Sequence, residues 1–401
     1  MMLTTRVCVV GGGPAGMMLG YLLARAGVAV TVLEKHADFL RDFRGDTVHP
    51  STLRLLDELG RLQSFLERPH QRLGEIGADV GGQHFKLADF GHLPPRYAFI
   101  AVMPQWDFLD FLAEEAMKFP DFQLLRSTEA VGLIYAGDRV TGIHARRGGE
   151  DIEVQCDLVV GCDGRSSTIR AAAGLAVKTL GAPIDVFWFR VPRDPDDQDD
   201  TLGRFRPGRF MVTINRGDYW QCAWVIPKGG AETVRADGID RFRAAVASVA
   251  PRLAPHLDAI ASFDDVKLLT VEVDRLERWS RPGLLCIGDA AHAMSPIGGV
   301  GINLAIQDAV ATANLLLPAL RKGVPGPDQL DAVRRRRLLP VRVVQRFQLF
   351  VQNRFLAPAL GGRSATPPLL LVIANRFRPL RWLLASFIGV GVRAEHIRKE
   401  G

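Results

Sequence analysis

Three glycine- and aspartate-bearing segments hold the residue types best suited to chemistry. The first runs Val9-Val10-Gly11-Gly12-Gly13-Pro14-Ala15-Gly16 and is followed by Glu34 and Lys35. Gly11 permits a tight turn, Gly13 leaves the backbone open to a pyrophosphate, and Gly16 lets a helix lie close to the preceding strand. Pro14 and Ala15 open that helix, whose free N–H groups would face the phosphates. Glu34 follows Gly16 at roughly the twenty-residue spacing at which a carboxylate accepts from ribose hydroxyls. The second segment is Cys162-Asp163-Gly164-Arg165-Ser166-Ser167-Thr168-Ile169-Arg170, which places Asp163 where the pyrophosphate and an incoming nicotinamide would both pass. The third is Ile287-Gly288-Asp289-Ala290-Ala291-His292, running into Pro296-Ile297-Gly298-Gly299-Val300-Gly301-Ile302-Asn303. Asp289 can accept from a polyol such as the ribityl chain of a flavin. Gly298, Gly299 and Gly301 leave a bare surface at the start of a helix whose N-terminus can stabilise negative charge on a reduced flavin ring. The first segment alone says only dinucleotide; the three in this order say FAD. His292 could be a general base, but a histidine packed beside the flavin loop is the reading favoured here.

These segments need strands and helices to position them. Arg6–Val10 is an apolar, β-branched strand, Pro14–Ala26 has apolar residues at helical spacing, Gly27 stops it, and Val28–Leu33 is a second strand. Asp157–Gly161 and Gly283–Ile287 read as buried strands leading into Asp163 and Asp289. Helices are expected over Ser51–Gly60, Trp106–Phe119 and Ile302–Leu317. Between these lie aromatic, β-branched strands at Ile184–Val191, Arg209–Ile214 and Tyr219–Ile226, expected to pair mainly antiparallel with one face free to roof a pocket. Trp188, Phe210, Trp220, Trp224 and Pro296 are the candidates to line it, set against the plainer reading that the aromatics are core. The expected class is α/β (α+β overall): a Rossmann-like FAD-binding domain (1–72, 97–178 and 271–325) interleaved with a mainly antiparallel substrate domain (73–96 and 179–270), then a helical segment (326–401).

On these motifs the chain resembles the single-component, FAD-dependent aromatic hydroxylases, the para-hydroxybenzoate hydroxylase-like monooxygenases. The three segments match that family's GxGxxG, DG and GD motifs in order and spacing over roughly residues 5–320. Arg44 falls where the family places an arginine near the flavin, and Gln105 where it has a flavin-contacting glutamine. The resemblance is to the short members, without a C-terminal thioredoxin-like domain. It implies FAD, NADPH or NADH as reductant, O2, and oxygen transfer from a flavin C4a-hydroperoxide to an aromatic, polyketide-like or quinone-type molecule. The protein would then hold the flavin, exclude water and place the substrate. Three alternatives remain: a halogenase, of whose Trp-x-Trp-x-Ile-Pro motif Cys222-Ala223-Trp224-Val225-Ile226-Pro227 keeps only the latter part; an isoprenoid double-bond reductase; and a flavoprotein that binds ligand without turnover.

Composition fits a globular enzyme: 47% hydrophobic and 23% charged over 401 residues. None of the five cysteines forms a CxxC pair, so neither a metal nor a disulfide framework is expected, and a reduced, cytoplasmic setting fits. No signal sequence is read at the N-terminus and no apolar run is read as long enough to cross a bilayer. Charge is uneven. Residues 321–401 hold 16 Lys+Arg against 4 Asp+Glu, whereas the whole chain is only +6. The Arg334–Arg337 run and the stretch 367–381 are read first as arginines that are solvated or meet acidic groups on the main body. A sharper reading is peripheral contact with an anionic membrane; no motif points to nucleic acid.

Overall fold

A computed structural model describes residues 1–40, 47–197, 201–362 and 369–398. Arg44, the acidic positions 198–200 and the start of the 367–381 stretch lie outside the described residues.

A parallel sheet carries the three motif segments. Its strands lie side by side in the order Leu284–Cys286, Glu150–Gly161, Met2–Val10, Val30–Leu33, Phe122–Leu125, with Ser280–Arg281 antiparallel at one edge. Val7, Val9, Val32, Val159 and Val160 are fully buried, the apolar signature of parallel strands covered on both faces. Val10 stands opposite both Leu33 and Gly161, and Gly161 opposite Cys286. The carboxyl ends are therefore level, and the chain leaves them through Gly11, Glu34, Cys162 and Ile287. The order reverses between Met2–Val10 and Glu150–Gly161, the switch point at which such sheets bind ligands. Glu150–Gly161 is one 12-residue strand: Glu150–Gln155 pairs antiparallel with Arg139–Arg147, and from Glu153 on it runs parallel beside Met2–Val10.

A second sheet has seven strands in the order Lys267–Leu269, Ile184–Pro192, Tyr219–Pro227, Arg209–Asn215, Leu202–Arg206, Glu75–Val80, Gln83–Asp89. All neighbours are antiparallel except Leu202–Arg206 beside Glu75–Val80. The helix Ile239–Val249 covers one face, where Phe242 packs edge-on to Phe189 and Trp224.

The helix Gly301–Lys322 runs back from the switch-point edge and packs beside Pro14–Arg25. It is continuous with a stretch, Ile297–Lys322, long and apolar enough to cross a bilayer, which corrects the sequence expectation that no such run exists; 67% of its most apolar window is buried inside the fold. The helix Pro327–Val351 packs against it, continues through a π-helical turn, Gln352–Leu356, and ends in Ala357–Leu360. The helix Arg378–Gly389 lies on the strand Gln83–Asp89.

Candidate active site

The first glycine segment is shaped by sterics. Gly11 has φ +105°, and a Cβ there would lie 2.5 Å from the Cys162 carbonyl oxygen. Only glycine allows the two loops to cross this closely. A Cβ on Gly16 would lie 2.0 Å from the Gly11 oxygen, so Gly16 seats the helix against the turn. A Cβ on Gly13 would meet nothing within 4 Å. That open side faces the N-terminus of Pro14–Arg25, which has neither a side-chain cap nor an acidic residue in its first turn. Free N–H groups and open space together suit a pyrophosphate.

Glu34 is buried, and its carboxylate accepts from Gly12 N–H (3.0 Å) and His36 N–H (2.9 Å). It braces the glycine turn from beneath. Lys35 beside it is exposed.

The second uncapped helix end is at Val300–Gly301, again with no acidic residue in the first turn. The two helix ends meet at Gly288. At φ +61°, a Cβ on this residue would lie 3.1 Å from the Ala15 Cβ and 3.4 Å from the Ala305 Cβ. Asp289 follows, its side chain about one third exposed and 4.0 Å from an Arg165 guanidinium nitrogen. Pro296 precedes a turn in which Gly298 and Gly299 both take positive φ.

Asn303 is engaged by the protein's own backbone and side chains. Its Oδ1 accepts from His49 N–H (2.9 Å) and the Thr52 hydroxyl (2.7 Å), and its Nδ2 donates to Thr47 O (3.2 Å) and Gly299 O (3.4 Å). The buried amide ties the 47–52 segment to the Gly298–Gly301 loop and so positions it. Asp163 is likewise engaged locally. It accepts from the Ser167 hydroxyl (2.5 Å) and Ile169 N–H (3.1 Å), fixing the start of the short helix Thr168–Ala172. Burial raises its pKa against the lowering effect of those hydrogen bonds. Gln105 opens the helix Gln105–Ala116 half-buried.

Sequence reading missed the scaffold behind these loops. Asp308 is fully buried. It accepts from Gly288 N–H (3.1 Å), pairs with His292 Nε2 (2.6 Å) and receives Arg337 Nε (2.8 Å). Burial pushes its pKa up, but His292 and Arg337 outweigh that and hold it below the usual carboxylate range. His292 is thus a packed histidine beneath the loop, also against Trp279. Glu395 closes the network on Arg336 and Arg337. Three glutamines on the C-terminal helix hold the loop from behind. Gln345 donates to Asp274 O and Ala293 O, Gln348 to Ser295 O and Ile297 O, and Gln352 to the Ser295 hydroxyl. Two signals were visible: Asp308 is the one carboxylate of an apolar 22-residue helix, and the glutamines recur at helical spacing.

The antiparallel sheet sorts the aromatic candidates by period two. Trp188 and Phe210 lie on the face shared with Ile297, Val225, Leu356 and Leu360, so they border the flavin loop. Trp220 and Trp224 lie on the opposite face with Cys222, Met211 and Phe242. That corrects their assignment as pocket residues. Alternation along Tyr219–Pro227 turns both indoles under the helix Ile239–Val249, where Trp220 also donates to Asp197 (2.9 Å). Trp224, kept from the halogenase-type motif, and Cys222, at the position of its first tryptophan, are core residues here.

The family model described as FAD binding domain matches residues 4–348. The chain is 33% identical over 398 residues to the 6-methylpretetramide 4-monooxygenase of Streptomyces rimosus, covering 99% of this chain and 94% of that one. The chain belongs to the FAD-binding-domain family of flavin-dependent monooxygenases. Two solved structures share its fold. The OxyS anhydrotetracycline hydroxylase of Streptomyces rimosus has a TM-score of 0.77 at 24% identity, over 98% of this chain and 77% of that one. PqsL of P. aeruginosa in complex with 2-aminobenzoylacetate has a TM-score of 0.76 at 21% identity, over 90% and 97%.

The family's FAD fits residues of this chain on one further observation. His49 is fully buried with Nδ1 2.9 Å from Ile388 O, and its Nε2, beside Gly299, has no partner among the described residues. Burial lowers the His49 pKa to about 4, so the ring is neutral at pH 7 and Nε2 offers a lone pair. A ligand carrying an N–H, as an isoalloxazine does, would complete it.

Proposed function

We propose that this enzyme uses FAD, a reduced nicotinamide and O2 to hydroxylate an aromatic, polyketide-like or quinone-type molecule. The observation that carries this is the convergence of two uncapped helix ends on Gly288, beside a sheet face that presents Trp188 and Phe210. Bound FAD would supply reduction by the nicotinamide and activation of O2. The chain's own part is placement. The Gly13–Pro14 helix end holds the pyrophosphate, Asp289 the polyol and the Gly301 helix end negative charge on the ring. Asn303 and Asp308 fix the loops from beneath, and the Trp188 face keeps water from the ring and seats a flat apolar substrate. The name of the 33% identical relative puts polyketide aromatics first among substrates to try.

The test is NADPH and NADH oxidation by the FAD-loaded protein in air, with phenols, quinone precursors and polyketide aromatics. Stimulation by one class, with O2 consumed and a product 16 mass units heavier (one oxygen atom), is the expected result. Oxidation without O2 uptake would point to a reductase, bromide-dependent product to a halogenase, and a ligand-shifted flavin spectrum without turnover to a binding protein.

A cytoplasmic protein with peripheral membrane contact is a second, separate part of this reading. Ile373, Phe377 and Leu383 are exposed on the C-terminal helices near Arg376 and Arg378. The Arg334–Arg337 run does not contribute: these arginines bond to Asp331, Asp308 or Glu395. Flotation with anionic vesicles, reversed by salt and weakened in Phe377→Ser, is the expected outcome; equal binding to neutral vesicles would count against it.

A further inference from the structure

A cavity lies beside the strand Asp274–Leu276, with none of the glycine-loop residues in its lining. It holds about 240 Å3 and is lined by Lys178, Arg275, Leu276, Glu277, Arg334, Leu338 and Arg342. A single buried water needs only roughly 10–15 Å3. The floor is the strand pair Val177–Thr179 and Asp274–Leu276, and the wall is the helix Pro327–Val351.

Its charges are placed at a cost. Lys178 and Arg275 are directly opposed in the antiparallel register. Like charges facing each other across a strand pair destabilise it. Arg334, Leu338 and Arg342 follow at four-residue spacing, so they share one helix face above that pair. Arg334 is held by Asp331 (2.6 Å), and Arg275 donates to Gln345 (3.1 Å), a neutral partner. Burial, then Arg342 and Arg346, lower the Arg275 pKa. Against these cations the cavity wall itself offers one carboxylate, Glu277.

We propose that this cavity is a binding site for a phosphate-bearing anion. A phosphate or diphosphate takes several charged donors at once and removes the repulsion between Lys178 and Arg275. The floor strand also abuts the flavin loop: Leu276 N–H donates to Ala291 O (2.7 Å), and Ala293 N–H to Asp274 (3.1 Å). The phosphate has two candidate sources, a free small anion or the 2′-phosphate of NADPH; the second rests on the monooxygenase reading above.

The FAD-loaded protein is titrated with pyrophosphate by calorimetry at low salt, beside the double variant Lys178→Gln/Arg342→Gln. Both side chains are exposed and outside the flavin site, and loaded FAD keeps the dinucleotide pyrophosphate position filled. Saturable binding that weakens at least tenfold in the variant is expected, since losing one hydrogen bond to a charged group is worth about 1.5–3 kcal/mol. Equal affinity in both proteins, or no saturable binding in the wild type, overturns the proposal. Steady-state kinetics then assigns the source. A KM that rises for NADPH but not NADH identifies the 2′-phosphate; unchanged KM values with lost pyrophosphate binding assign the site to a free anion. If no substrate stimulates turnover, the pyrophosphate titration still decides the anion site on its own.

Discussion

The edge of the parallel sheet and the open face of the antiparallel sheet are shaped by opposite means. At the edge, shape depends on atoms left out. Gly11, Gly16 and Gly288 are surrounded so closely that a methyl group would strike backbone or a neighbouring Cβ, while Gly13 faces open space. On the antiparallel face, shape depends on atoms put in: the rings of Trp188 and Phe210, with Ile297 packed among them. A missing atom can be read from residue type alone, whereas a ring has a role only once its face of the sheet is known.

The largest effects come from the edge. Gly16→Val should abolish soluble, cooperatively folding protein, because its Cβ falls 2.0 Å from the Gly11 oxygen. Gly13→Asp should melt close to wild type as apoprotein yet bind FAD on the order of 100-fold more weakly, from bulk and charge at the phosphates. Circular-dichroism melts and flavin absorbance after gel filtration separate the two, and a fully yellow Gly13→Asp protein would sink the pyrophosphate placement. Asp308→Ala should cost about 3–5 kcal/mol in urea unfolding, since it leaves the buried Arg337 with Glu395 alone and removes the carboxylate from the buried His292. A loss below about 1 kcal/mol would mean that the network does not support the loop.

Acid should act through His49. Its folded pKa of about 4 lies below the unfolded value of 6.5. Between those values the unfolded chain binds more protons, so stability rises with pH across this window and is lost as pH falls through it. The contribution at pH 7 is about 3 kcal/mol. Melts from pH 7 to 4.5 should show a steeper decline for wild type than for His49→Gln; parallel curves would assign the decline to other groups.

The smallest effect belongs to the open face and sharpens the contrast within its own sheet. Trp188→Ala should cost roughly 1–2 kcal/mol because the ring is only half-buried, and it should raise KM for aromatic substrates. Trp224→Ala, on the covered face, should cost about 3–5 kcal/mol and leave KM alone. Equal KM changes would show that the two faces are not functionally distinct.

The same contrast explains what was legible in the sequence. The βαβ unit, the strands into Asp163 and Asp289, and the helix from Gly301 could be read because local chemistry and position coincide there. Trp220 and Trp224 could not be sorted from Trp188, because period two gives alternation but not which face meets the flavin loop. The partners of Asn303 were not legible, since three of its four hydrogen bonds reach residues about 250 positions away and the fourth holds Gly299. The helix Pro327–Val351 was read for its charge, while the glutamines at its end, regular in spacing, hold the loop by contacts more than 50 residues away in sequence.

The link from Glu395 to Arg337 and to Gln307 spans 58 and 88 residues of chain. During synthesis the helix carrying Asp308 leaves the ribosome long before Glu395 does. The buried arginine therefore waits, half compensated, for a late-arriving partner. A nascent chain paused before residue 395 should present the glycine loops without the last contact that clamps the helix behind them.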